Sequence, residues 1–147
     1  MNMKYINSAV SEEDIKNLVH HFYDLVRADE TLGPIFAEKI TDWPKHLGIM
    51  CDFWSSIILK TNRFNGRPML KHQMLAKSVT RADFIIWLKL FYQAVDEVCP
   101  EAGKQDFVMA AERIAESLQI GMFDRPFDME EVKKYLEFLE AQERMSA

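Results

Sequence analysis

Four histidines are the side chains of this 147-residue chain best suited to bind a metal: His20, His21, His46 and His72. His20 and His21 are adjacent, so on a helix they point to different faces and cannot share one ion. We expect His20 to be solvated and His21 to have a structural role beside an apolar stripe. The sequence contains no HExxH motif and no paired carboxylate–histidine cluster, so zinc and di-iron sites are disfavoured.

His46 and His72 both lie among apolar residues. The residues that follow His46 at helical spacing, which predict that it lies on a buried face, are Ile49, Met50, Phe53 and Ile57. His72 lies in RPMLKHQML (67–75), where Met69 can share its face. Either residue could be an ordinary core histidine, and His72 could also lie at the surface. The alternative is haem ligation, because a porphyrin supplies the four equatorial ligands and one imidazole completes the site.

Tyr23 and Trp87 each combine an apolar body with one hydrogen-bond donor. Tyr23 follows Val19 by four residues on an apolar stripe, and Trp87 lies in the middle of FIIWLKLF. A buried donor without a partner costs about 1–3 kcal/mol, so each could be a core aromatic that donates to a backbone carbonyl. Together with His46 they would be three buried donors on three helices, a set that suits a small polar ligand such as O₂.

Helices must position these residues, because helical periodicity is widespread and strand signals are scarce. Ser11 with Asp14, and Thr80 with Asp83, have the spacing of capping boxes and predict two helix starts. Gly33-Pro34 is expected to end the first helical region, and the next helix is expected to run from Thr41 to about Lys60. A short helix should carry His72, and Pro100 should end the helix that begins at Thr80. The last two expected helices are one over 102–122 and a final one capped by Asp128. The fold class is therefore all-α, without the sustained heptads of a coiled coil.

Length and composition bound the kind of protein. A chain of 147 residues is expected to form one domain, and its net charge of −5 disfavours nucleic acid as a partner. Cys51 and Cys99 form no CxxC or CxxCH motif, which argues against covalent haem attachment and for reduced thiols. The N-terminus lacks the apolar core of a signal peptide, and no apolar run is long enough to span a bilayer. We therefore expect a cytoplasmic protein without a membrane partner.

In this order, these residues resemble the truncated haemoglobins, most closely group III, over about residues 12–123. HFYDLVRADETLGPIF is similar to helix B and the turn after it, with Tyr23 as the distal tyrosine and Phe36 as an aromatic that packs on the haem. DWPKHLGIMCDFW resembles helix E, with His46 at the distal histidine position. The glycine-glycine motifs of the other truncated groups are absent, as in group III members.

The second half of the chain continues the resemblance. GRPMLKHQML is similar to the segment that bears the proximal histidine, which makes His72 the expected iron ligand. FIIWLKLF resembles helix G, with Trp87 as its pocket tryptophan, and AAERIAESLQIGMF resembles helix H. The expected cofactor-binding residues are Phe36, Met50, Phe53, Trp54, Met69, His72 and Trp87.

The resemblance implies a compact 2-on-2 globin arrangement and a non-covalent haem b. A globin domain over 1–127 is expected, followed by a helical extension over 128–147 that goes beyond the usual end. This extension is either a solvated helix packed on the same domain or a dimer contact. His46 has two possible roles, as a gate between pocket and solvent or as a second iron ligand.

The resemblance also implies binding of diatomic ligands (O₂, NO, CO), with oxygen transport as one use. The alternative is a haem enzyme of peroxidase, oxidase or NO-dioxygenase type, in which Tyr23, Trp87 and His46 act on O₂, NO or peroxide. The chain has no flavin or nicotinamide fingerprint, so such an enzyme would need a separate reductase. A third possibility is a haem-free helical interaction module.

Overall fold

The structure is a computed structural model that describes residues 10–64 and 79–123, together with Glu137. The predicted short helix with Met69 and His72 lies outside the described residues. So does the extension from Asp128, Glu137 excepted, together with the domain boundary before it. No helix among the described residues is both long and apolar enough to cross a bilayer.

Five α-helices make up the described part of the chain. They are α1 (Glu12–Ala28), α2 (Leu32–Lys39), α3 (Trp43–Leu59), α4 (Arg81–Val98) and α5 (Lys104–Phe123), with a 3-10 turn at Glu101–Gly103. α1 packs against α2, α3 and α4, while α5 packs against α4 and α3. The pair α1–α3 therefore lies on the pair α4–α5, and the expected all-α, two-on-two arrangement is confirmed.

Two of the helices begin where the capping patterns predict. Ser11 Oγ accepts a hydrogen bond from Asp14 N at 3.1 Å, and the Asp14 carboxylate accepts one from Ser11 N at 2.9 Å. Thr80 and Asp83 make the same reciprocal pair at the start of α4. These bonds satisfy backbone donors that the first helical turn leaves unpaired, so both capping boxes are confirmed.

The prediction that Gly33-Pro34 ends a helix is wrong. α1 ends at Ala28, because the Asp29 carboxylate accepts hydrogen bonds from Thr31 N and Leu32 N and starts a new turn. Pro34 then lies in the first turn of α2, where its missing N–H leaves no helical bond unmade. A Cβ atom on Gly33 would lie 2.8 Å from the Arg27 carbonyl oxygen, so glycine allows α2 to approach the end of α1 closely.

Contacts between aromatic rings link the two helix pairs. Phe91 of α4 is stacked on Trp54 of α3, with 5.1 Å between ring centroids, and it contacts Phe22 of α1 edge-on at 5.2 Å. Trp54 also contacts Phe107 of α5 at 5.6 Å. Each such pair contributes about 0.5–1.5 kcal/mol beyond area burial. This cluster therefore sets how α1 and α3 lie on α4 and α5.

Polar contacts add two further links between segments. Ser55, buried on α3, donates a hydrogen bond to Glu12 at 3.1 Å, and Glu12 also pairs with Arg63 at 2.8 Å. The loop after α3 is thereby tied to the start of α1. His21 contacts Glu97 of α4 at 2.7 Å, in keeping with its expected structural role, and His20 is exposed as predicted.

We expect Thr80→Ala to lower the free energy of unfolding by about 0.5–2 kcal/mol, because it removes the side-chain cap of α4. Urea denaturation followed by far-UV circular dichroism measures the change. Thr31→Ala is the matched control, since Thr31 precedes α2 but makes no capping hydrogen bond through its side chain. Equal destabilisation by the two substitutions would contradict the capping role of Thr80.

Candidate functional site

Four rings from three helices meet where α1 crosses the start of α3. Tyr23 of α1 contacts His46 of α3 edge-on, with centroids 5.2 Å apart and the rings at 86°. Trp43, the first residue of α3, lies 5.9 Å from Tyr23 and 5.8 Å from His46. Phe36 of α2 contacts Tyr23 at 6.0 Å. Three of the predicted site residues, Tyr23, His46 and Phe36, are thus brought together.

Tyr23 is the buried donor of this group, with 7% of its surface exposed. Burial raises the pKa of its phenol well above the ordinary value of 10.0, because a phenolate would lose its hydration. Because folding raises the pKa of Tyr23, its protonated phenol contributes to the free energy of unfolding. This contribution is complete below pH 10 and is lost as the pH rises further. At neutral pH Tyr23 is therefore an uncharged hydroxyl that can donate one hydrogen bond.

α3 carries two apolar faces rather than one. The buried residues are Trp54, Ser55 and Ile58, which face the core. The stripe predicted to be buried is instead half-buried: His46, Ile49, Met50, Phe53 and Ile57. The Nε2 atom of His46 is nevertheless buried. Helical spacing identified this stripe but could not rank the two faces, because that depends on which face meets α4 and α5.

Trp87 is linked to Tyr23 through contacts with Phe22. It is half-buried, stacked on Phe91 at 5.7 Å and edge-on to Phe22 at 5.6 Å. Phe22 in turn contacts Tyr23 at 5.0 Å, so both donors pack against the same ring. Of the three donors expected to be buried, only Tyr23 is buried as a whole residue, while Trp87 and His46 lie at the edge of the core.

The other expected cofactor contacts differ in position. Met50 is half-buried one turn after His46. Phe53 contacts both Trp54 and Phe64, at 5.6 and 5.2 Å. Trp54 is a core residue, stacked on Phe91. Met69 and His72 lie outside the described residues.

Sequence reasoning missed Trp43 as a site residue. Its indole contacts both Tyr23 and His46, and the Arg27 guanidinium carbon lies 4.3 Å from the centre of its ring. A spacing signal was present, because Trp43 precedes His46 by three residues and Arg27 follows Tyr23 by four, which places each pair on one helix face. Only the crossing of α1 and α3 brings the two pairs together.

The described residues fit one side of a haem site. A porphyrin needs a broad apolar wall, and the half-buried stripe of α3 offers one. Tyr23 and His46 add two polar groups next to this wall. In the described ranges, no group of three or more His, Cys, Asp or Glu side chains could hold a metal ion without a porphyrin.

The chain is similar to known proteins over most of its length. The bacterial-like globin family matches residues 9–120. A group 3 truncated haemoglobin from Campylobacter jejuni is 34% identical over 114 residues, which cover 75% of this chain and 89% of the relative. A group 2 truncated haemoglobin from Bacillus subtilis is 29% identical over 101 residues, covering 68% and 76%. The crystal structure of a group III truncated haemoglobin from Campylobacter jejuni superposes with a TM-score of 0.73 at 33% identity, covering 80% of this chain and 95% of that one.

Proposed function

Because the chain belongs to the bacterial-like globins and, among them, to the group III truncated haemoglobins, we propose that it holds one non-covalent haem b and binds O₂, NO and CO. The observation that carries this proposal is the contact of buried Tyr23 with His46 beside the half-buried apolar face of α3. An apolar wall suits a porphyrin, and a neutral phenol beside it suits a diatomic ligand.

His72 is the proposed iron ligand, through the resemblance of its segment to the proximal region of the family. The haem, when bound, supplies the iron at which diatomic ligands and redox chemistry are accommodated. Tyr23 is the main donor to such a ligand, because burial keeps its hydroxyl neutral and water-excluded sites strengthen hydrogen bonds. Trp87 is the second donor, and its ring contacts Phe22, which also contacts Tyr23.

An absorption spectrum tests this function directly. After hemin is added to the purified protein, we expect a Soret band in the ferric form, a five-coordinate ferrous form, and a shift on adding CO. A spectrum that stays that of free hemin, with full helicity by circular dichroism, would instead favour a haem-free interaction module. The ferric form also tests His46: low-spin signals at neutral pH favour His46 as a second ligand, and high-spin signals favour its role as a gate.

The second candidate function is a haem enzyme of peroxidase, oxidase or NO-dioxygenase type with an external reductase. The observation that favours it is the buried Tyr23 hydroxyl, since a strong donor slows O₂ release and so suits redox chemistry better than transport. NO consumption in the presence of a reductase, or turnover with peroxide, would identify this activity. Ligand exchange without turnover would support binding or transport alone.

We place the protein in the cytoplasm within this proposal. Cys51 and Cys99 are both free thiols, which are typical of a reducing compartment. Cell fractionation followed by immunoblotting tests the location. Recovery outside the cytoplasmic fraction would contradict it.

A further inference from the structure

The residues of the α1–α3 crossing become progressively more exposed from the interior outwards. Tyr23 is buried, His46 and Trp43 are half-buried, and Arg27 is exposed. The Trp43 ring contacts the two inner rings, Tyr23 and His46, and also the guanidinium of the exposed Arg27. Any displacement of His46 towards Trp43 must therefore move the indole or break its contacts.

Trp43 is itself held in place by the start of α3. Asp42 caps the helix by accepting a hydrogen bond from Lys45 N at 3.1 Å, and Pro44 occupies the first turn. A proline at that position has a preset backbone angle, so the backbone that carries Trp43 is rigid. Arg27 then covers the indole with its guanidinium at 4.3 Å. Backbone and cation together restrict the directions in which the ring can turn.

We propose that Trp43, held by Arg27, is the positioning residue that keeps His46 against Tyr23 and thereby controls how fast ligands enter the distal pocket. The ligand-entry part rests on the proposed haem function, whereas the positioning of His46 does not. Trp43 acts here through His46 rather than by donating to the ligand. Its loss therefore affects ligand entry more than ligand release, which Tyr23 controls.

The kinetic test uses CO as the probe of entry and O₂ as the probe of release, in the haem-loaded protein. An edge-on aromatic contact alters an equilibrium about 2–10-fold, so Trp43→Ala should raise the CO association rate by that factor. Its O₂ dissociation rate should change by less than about 2-fold, because the Tyr23 donor is retained. Trp43→Phe, which keeps a ring, should recover most of the wild-type association rate.

Arg27→Gln tests the outer cation. A cation–π contact at an exposed position changes an equilibrium constant about 2–5-fold. The CO association rate of Arg27→Gln should therefore rise by that factor. Lys45→Gln is the matched control, because it also removes a cation from an exposed residue near the start of α3. Equal effects of the two variants would indicate a general charge effect and would overturn the role of Arg27.

A spectroscopic test is independent of ligand binding. In histidine-labelled protein, the NOE between the His46 and Tyr23 ring protons should weaken in Trp43→Ala but not in Lys45→Gln, because it reports the contact between these two rings and not the ring current of Trp43. The measurement is made on the purified chain before and after hemin is added. If haem fails to bind, the proposed function is wrong, while a weakened His46–Tyr23 NOE still supports the positioning role. An unchanged NOE, or CO association unchanged in Trp43→Ala, overturns the inference.

Discussion

Tyr23→Phe is expected to raise the O₂ dissociation rate roughly 10–150-fold, the factor that corresponds to about 1.5–3 kcal/mol for a hydrogen bond to a charged or strongly polarised acceptor. Tyr23 is the one buried residue among the three predicted donors, and its raised pKa keeps the hydroxyl protonated. Phenylalanine retains the ring that packs against Phe22, Phe36 and His46 and removes only the hydroxyl. Stopped-flow displacement of O₂ by CO measures the rate.

Tyr92→Phe is the matched control for this substitution. Tyr92 donates its hydroxyl to Glu112 at 2.8 Å, in a contact between α4 and α5, so this hydroxyl already has a partner. Its loss should leave O₂ dissociation unchanged. Because the Tyr23 pKa is raised above 10.0, the wild-type rate should also be independent of phenol ionisation below that pH. If Tyr23→Phe and Trp87→Phe both left the rate at its wild-type value, the polar-pocket mechanism would be wrong.

His72→Gly is expected to have the second large effect, loss of the five-coordinate histidine spectrum and hemin loss at least about 100-fold faster. Removing a residue that only orients a metal ligand already lowers metal affinity about 10–100-fold. Removing the ligand itself should lower the affinity at least as much. The substitution tests the assignment made from GRPMLKHQML. Transfer of hemin to an excess of apomyoglobin, followed in the Soret region, measures its loss.

His20→Gln is the control for a general effect of removing a histidine, because His20 is exposed on α1. It should retain wild-type spectra and wild-type hemin loss. Wild-type spectra in His72→Gly as well would refute the proximal assignment. If the histidine-ligated haem spectrum were lost in His46→Leu and kept in His72→Gly, His46 would be the principal ligand of the iron.

Local sequence patterns determined most helix starts and the principal apolar stripe. The capping boxes at Ser11 and Thr80 act within four residues, so their geometry does not depend on the rest of the fold. The buried stripe of α1 also followed from helical spacing alone, and its five predicted members are buried: Ile15, Leu18, Val19, Phe22 and Val26. The family resemblance added the two-on-two arrangement, which periodicity alone cannot distinguish from other helical packings.

Tertiary structure decided which apolar face of α3 meets the core and which rings surround Tyr23. Trp54 is buried and the stripe of His46 is half-buried, although both faces are apolar in sequence. Trp43 and Arg27 are sixteen residues apart and become neighbours only because α1 and α3 cross at their position. Helical periodicity specifies a face of one helix, whereas the partner of that face depends on crossing angles and on the summed packing of distant residues. For this protein the sequence therefore determined most of the helices and most of the candidate residues, and the packing of α1 on α3 determined which residues form the site.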